Sequence, residues 1–136
     1  MWRSFLRAHA RLTRVLEAEL IAGQRLSLAA YDVLVQLAEA PQHRLRMTEL
    51  AEAVLLSRSG VTRLVDRLER ANLVLRERAD GDGRGVVAVL TPQGLERLRI
   101  ASGTHLTGVV RHFAEEFGAA ELEAFGRTCD RLAGEP

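Results

Sequence analysis

The chain has 136 residues, 47% of them apolar and 27% charged, with a formal net charge of +1 and a single cysteine. That length and apolar content fit one domain with its own core. No stretch nears the ~20 uninterrupted apolar residues of a membrane span, and Cys129 alone cannot build an internal disulfide framework. The N-terminal Met1-Trp2-Arg3-Ser4-Phe5-Leu6-Arg7 scatters arginines among apolar residues, so no secretory signal is expected and a cytoplasmic location is. All 19 basic residues are arginine. Arginine forks onto phosphate and guanine edges better than lysine does. An Arg-, Ala-, Leu- and Gly-rich chain without lysine is also what a high-GC genome encodes.

In chain order, the spacing of Phe5, Leu12, Leu16 and Leu20 predicts a helix from about Arg3 to Ala22, ended by Gly23. A second helix is expected from Leu28 to Ala40, with Tyr31, Leu34 and Leu37 inward and Pro41 as the stop. After an extended piece, Leu45 to Met47, Thr48 reads as the N-cap of a short helix through Val54. Ser57 reads as the cap of the next helix, which runs to about Ala71, with Asn72 suited to a left-handed C′ position. Val74 to Arg78 and Val86 to Leu90 read as two strands around a turn dense in Gly and Asp. Thr91-Pro92 then restarts a helix with its cap and first-turn proline in place. That helix carries Leu95, Leu98, Leu106, Val109, Val110, Phe113 and Phe117. A last helix carries Leu122, Phe125, Cys129 and Leu132.

A hairpin directly after two short helices is a winged helix-turn-helix, so the expected fold is mainly α with a small β-wing. The terminal helices are too long and too apolar to be covered by the central unit, and a second copy of the chain is the simplest cover. The winged-helix core is expected at about 28–92, and the dimerisation helices at about 1–24 and 93–133.

The segment from Glu49 to Leu68 carries the chemistry. Ala51 supplies the small residue where two crossing helices touch. Leu50, Val54, Leu56, Val61 and Leu64 supply the core contacts. Leu55 stands where such turns favour glycine, which implies a shifted turn or a less favoured backbone. In the following helix Val61, Leu64, Val65 and Leu68 form an apolar stripe, and Arg58, Ser59, Thr62, Arg63, Arg67 and Arg70 lie away from it. An α-helix fits the major groove, where arginine forks onto guanine and Ser or Thr donates to phosphate or bases. The same stripe also reads as an ordinary solvated face, with Asp66 and Glu69 pairing with its arginines at i+4 and i−3. The hairpin turn places Asp82 and Arg84 among glycines. An arginine there is suited to a narrow minor groove, although any polar turn would carry such residues.

Leu73-Val74, the Asp82-x-Arg84 pair, Leu90-Thr91 and Gly94, spaced after Val61-Thr-Arg-Leu-Val-Asp-Arg-Leu-Glu69, resemble the MarR family of regulators. The resemblance covers roughly Leu28 to Arg99. It implies a homodimer on a palindromic duplex DNA, recognition helices in successive major grooves and wings in flanking minor grooves. It also implies that Arg84 is the minor-groove arginine and Asp82 the acidic partner that fixes the wing. Gly83 stands where the family commonly has another arginine. The DNA-binding set is therefore Ser57, Arg58, Ser59, Thr62, Arg63, Arg67, Asp82 and Arg84. The family usually represses transcription until a small, often aromatic, effector binds. Trp2, His9, Arg11 and Tyr31 are the candidates for such a pocket, although Trp2 and Tyr31 also read as core and His9 and Arg11 as solvated.

Cys129, on the apolar stripe of the last helix, reads as an inert core residue and not a redox centre. His105 and His112 stand two helical turns apart, too far for one zinc, so no metal or other cofactor is expected. No phosphate loop, nucleophile elbow or paired catalytic carboxylates appear, so no enzyme is expected. The remaining alternative is a winged-helix module that binds another protein without DNA. An exposed aromatic face would mark it, and the arginine stripe has none.

Overall fold

The computed structural model describes residues 1–55, 60–79 and 85–135. Its elements are α1 (Trp2–Gln24), α2 (Leu28–Glu39), β1 (Arg44–Arg46), α3 (Met47–Ala53), α4 (Val61–Arg70), β2 (Val74–Arg78), β3 (Val86–Leu90), α5 (Pro92–His112) and α6 (Ala119–Ala133). Short 3₁₀ turns precede β1 and α6. The three strands form one antiparallel sheet in the order β1-β3-β2. In its register Arg76 lies opposite Ala88 and Leu45 also lies opposite Ala88. The hairpin closes at its base where the Ala79 amide donates to the Gly85 carbonyl at 3.2 Å. This is a winged helix-turn-helix with long helices at both ends of the chain.

The core lies where α2 meets α3, α4 and the sheet. Val33, Leu34, Leu37, Leu50, Val65, Val74 and Ala88 are fully sealed there, and Leu20 of α1 and Ala101 of α5 extend it toward the terminal helices. Helix α2 begins at Ser27, whose hydroxyl accepts from the Ala30 amide at 3.0 Å. The Leu28 amide donates to Glu17 of α1 at 3.0 Å, which fixes the α1–α2 corner. Tyr31 joins α2 to α5: its hydroxyl lies 3.0 Å from that of Ser102, and its ring packs 4.8 Å from that of His105.

Several boundaries differ from the sequence expectation for local reasons. Helix α1 does not end at Gly23. It continues to Gln24, and Arg25 takes the left-handed conformation (φ 56°) while Arg97 of α5 donates to the last free carbonyl, that of Gln24. Thr48 is not a cap. Strand β1 runs straight into α3, so Arg46 is the capping position, and the Glu49 carboxylate accepts the Arg46 amide at 3.0 Å. Helix α4 starts at Val61 behind Gly60, a glycine in the left-handed region (φ 81°); Ser57, expected as its cap, lies outside the described residues. Leu55 avoids a positive φ, and among the described residues of this turn Gly60 takes it. Leu56 lies outside the described residues.

Helix α5 ends at His112, so Phe113 and Phe117 are not on it. The chain turns there because three rings, Phe113, Phe117 and Phe125, gather at centroid separations of 5.0, 5.7 and 5.3 Å. Trp2 is not core: it is 67% exposed and stacks on Phe5. Cys129 is only half-buried, on a helix with no buried residue.

The joint between the wing and α5 is tight. Thr91 caps α5 by accepting from the Gly94 amide at 2.9 Å, and its hydroxyl donates to the Asn72 carbonyl at 2.7 Å. Asn72 is left-handed (φ 61°). A Cβ on Gly94 would lie 2.1 Å from the Leu73 carbonyl oxygen, a backbone atom that cannot move aside. Gly94→Ala is expected to lower unfolding free energy by about 1–3 kcal/mol or more, the range for overpacking a filled site, measured by urea titration.

His105 supplies a second expectation. Its Nδ1 is buried without a hydrogen-bond partner, and burial pushes the imidazole pKa below its ordinary value, against a weaker opposing pull from Glu19. The folded state therefore favours neutral His105. That stability is present in full above the unfolded-chain value of about 6.5 and is lost as the pH falls from there through the folded value. Melting temperature is expected to drop between about pH 7 and 5, with a shallower drop in His105→Phe, by calorimetry at matched buffers.

Candidate nucleic-acid interface

Helix α4 has one buried edge and one open face. Val61, Val65 and Leu68 are buried and Leu64 is half-buried. This is the 3.6-residue period of an amphipathic helix laid on a core. Sealing that edge turns Thr62, Arg63, Arg67 and Arg70 outward, and all four are exposed. Of the sequence-predicted residues, Thr62, Arg63 and Arg67 thus share the open face of one helix. Ser57, Arg58, Ser59, Asp82 and Arg84 lie outside the described residues.

The acidic residues of α4 do not neutralise this face. Asp66 and Glu69 were candidates to pair with the arginines of their own helix. Both instead turn to Arg76 on β2. Glu69 Oε2 accepts the Arg76 backbone amide at 3.0 Å, and Glu69 Oε1 accepts from its Nη2 at 3.1 Å. The same Nη2 donates to Asp66. These hydrogen bonds, Glu69's first, raise the Arg76 pKa above its ordinary value. Arg63, Arg67 and Arg70 make no ion pair with any described residue. Although the whole chain is near neutrality, this face carries three uncompensated guanidinium groups.

The chain just after α3, at Leu55, is held from below. Asp32 of α2 is 8% exposed, and its Oδ2 accepts the Leu55 amide at 2.6 Å while Gln36 donates to Oδ1 at 3.3 Å. A buried carboxylate persists only with such donors. Sequence reading missed both Asp32 and Arg76. An acid inside the apolar run Leu28-Ala-Ala-Tyr-Asp-Val-Leu-Val was a visible signal for the first. The second needed a contact between separate elements. On the wing, Arg44 pairs with Glu77 at 3.2 Å, and Arg46 and Arg78 are exposed.

Of the residues suggested for an effector pocket, one borders a described groove. His9 lines a shallow groove with Thr13, Arg14, Glu17, Ile21 and Leu28, and neither Trp2, Arg11 nor Tyr31 borders it. Among the described residues no helix is long and apolar enough to cross a membrane.

The MarR family profile matches residues 26–85, the span from the end of the α1–α2 corner to the wing. The transcriptional repressor YetL of Bacillus subtilis is 30% identical over 115 residues, which span 82% of this chain and 69% of the relative. AbsC, a MarR family regulator from Streptomyces coelicolor, superposes with a TM-score of 0.87 at 36% identity, covering 98% of this chain and 89% of its own. A second MarR family regulator from that organism, solved in complex with DNA, superposes with a TM-score of 0.89 at 34% identity, covering 97% and 82%. With the wing, the turn and the arginine-bearing helix in their places, the chain belongs to the MarR family of winged helix-turn-helix transcriptional regulators.

Proposed function

We propose that the protein regulates transcription by binding a palindromic DNA duplex as a homodimer, with α4 in the major groove and the hairpin tip in the adjacent minor groove. The observation that carries this reading is the open face of α4, where Arg63, Arg67 and Arg70 stand without carboxylate partners because Asp66 and Glu69 are engaged by Arg76. An arginine-bearing helix of this width fits the major groove, and free guanidinium groups there meet guanine edges and phosphates. Thr62, Arg63 and Arg67 are assigned to that groove, together with Ser57, Arg58 and Ser59 ahead of the helix. Arg84 is assigned to the minor groove and Asp82 to ordering the wing, on the match to the family motif.

The homodimer is supported by what the single chain leaves uncovered. Trp2, Phe5, Leu6, Leu106, Val110 and Leu132, all on the terminal helices, are exposed apolar side chains. The segments 1–24 and 93–133 are accordingly the dimerisation region, and 28–92 the DNA-binding core. Action at chromosomal DNA places the protein in the cytoplasm. Repression, with release by a small aromatic molecule, is the mode that family membership favours.

Arg63→Ala and Arg84→Ala are each expected to weaken specific DNA binding by about 1–3 kcal/mol, the worth of a base contact, with unchanged far-UV circular dichroism. Fluorescence anisotropy on a duplex enriched from a random pool measures it. Parental affinity in both variants overturns the site. Sedimentation at micromolar concentration is expected to give a dimer, and material of only 15.0 kDa overturns the assembly.

A further inference from the structure

Among the described residues strand β2 lies at the edge of the sheet, and one side of its backbone faces no other strand. The outward amide of Arg76 is taken by Glu69 of α4 instead. The side chain of the same residue returns to α4, its fork reaching Glu69 through Nε at 3.4 Å and Nη2 at 3.1 Å, and Asp66 through Nη2. Asp66 and Glu69 stand three positions apart, on neighbouring turns of one helix face. One residue of the wing is thus bound, by backbone and side chain together, to two points of the helix. Arginine suits this because its planar fork presents several donors in fixed directions, which lysine lacks. The guanidinium is directed at two carboxylates and its side chain is only 28% exposed.

We propose that Arg76 is a positioning residue that sets the distance and angle between α4 and the hairpin, and with them the spacing between the major-groove and minor-groove contacts on each half of the duplex. The inference rests on the proposed DNA-binding reading. Between Arg70 at the end of α4 and Val74 at the start of β2 the chain has only a short corner with left-handed Asn72. A corner of that kind fixes where β2 begins. It leaves the swing of the hairpin to contacts further along its strands: β1 pairs with β3 on the far side, and on the α4 side Arg76 ties β2 to the helix.

The test uses Arg76→Ala, Arg76→Lys and Asp66→Asn/Glu69→Gln/Arg76→Ala in the whole 136-residue chain, beside the parent and Arg63→Ala. The duplex is one enriched from a random pool by the parent. Arg76→Ala is expected to fold and dimerise, and to lose about tenfold in specific affinity, the scale of one base contact. Because Arg76→Ala alone also frees two carboxylates beside the α4 arginines, non-specific binding is read in the triple variant Asp66→Asn/Glu69→Gln/Arg76→Ala. There the affinity for random duplex and the slope of log affinity against log salt should both be unchanged, because a residue that touches no phosphate releases no counterion, whereas a lost phosphate contact lowers the slope by about 0.9. Hydroxyl-radical protection should weaken at the flanks and persist at the α4 sites. The variant should also discriminate less against a duplex whose flanks are moved outward by one base pair. Arg76→Lys keeps the charge without the fork and should fall between the two; it carries the same expectations if the alanine variant fails to fold. A reduced salt slope in the triple variant would overturn the proposal by making Arg76 a phosphate contact. Unaltered flank protection would overturn it by leaving the wing independent of the clamp. Parental binding by Arg63→Ala would instead sink the DNA-binding reading itself.

Discussion

The seating of α4 on α2 governs everything that the outer surface presents. Val61, Val65 and Leu68 meet a core that includes the sealed side chains Val33, Leu34 and Leu37. Burying each such side chain is worth about 1.5–3 kcal/mol relative to leaving it in water. Turning the helix about its axis by one residue would withdraw this edge and carry Thr62 or a guanidinium toward the core. A buried, unpaired charge costs several kcal/mol by comparison. The direction in which the arginines point is therefore decided by apolar residues on the opposite, buried edge of the helix.

Electrostatics then works locally, against the message of the whole-chain balance. A net charge of +1 gives no long-range attraction to speak of. Asp66 and Glu69 sit on the same helix as the exposed arginines and would quench them if paired along it. Arg76 draws both acids toward the sheet instead. The same ion pairs that tie the wing down leave the open face cationic. Asp32 contributes in a similar way from below, since a carboxylate in the core of α2 holds the Leu55 amide just after α3.

Much of this was legible in the residues. The two wing strands stand where β-branched residues and turn chemistry put them, and Thr91 and Pro92 occupy the capping positions their types favour. Asn72 is left-handed as its side chain allows. The boundaries that went astray share a cause: each depends on a partner distant in the chain or on a choice between near-equivalent residues. Arg25 and not Gly23 closes α1 because Arg97 reaches over from α5. Phe113 leaves its helix to join two rings that the periodicity had placed on two different helices. Glu69 looked like an i−3 partner for its own helix, and only the fold brings β2 within its reach. Of the candidate contact set, the helical members could be read from period alone. The hairpin-tip members Asp82 and Arg84 rest on motif.

The corner at Asn72 and Leu73 has a mechanical meaning for the terminal helices. Thr91 donates its amide to the Leu73 carbonyl and its hydroxyl to the Asn72 carbonyl, while Gly94 rides directly on Leu73. The first turn of the 21-residue α5 is thereby riveted to the joint between α4 and β2. A rivet of this kind transmits torque and permits no slip. Any tilt of α5 must pivot there, and the far end of that lever, beside α1, travels furthest for the smallest rotation at the joint.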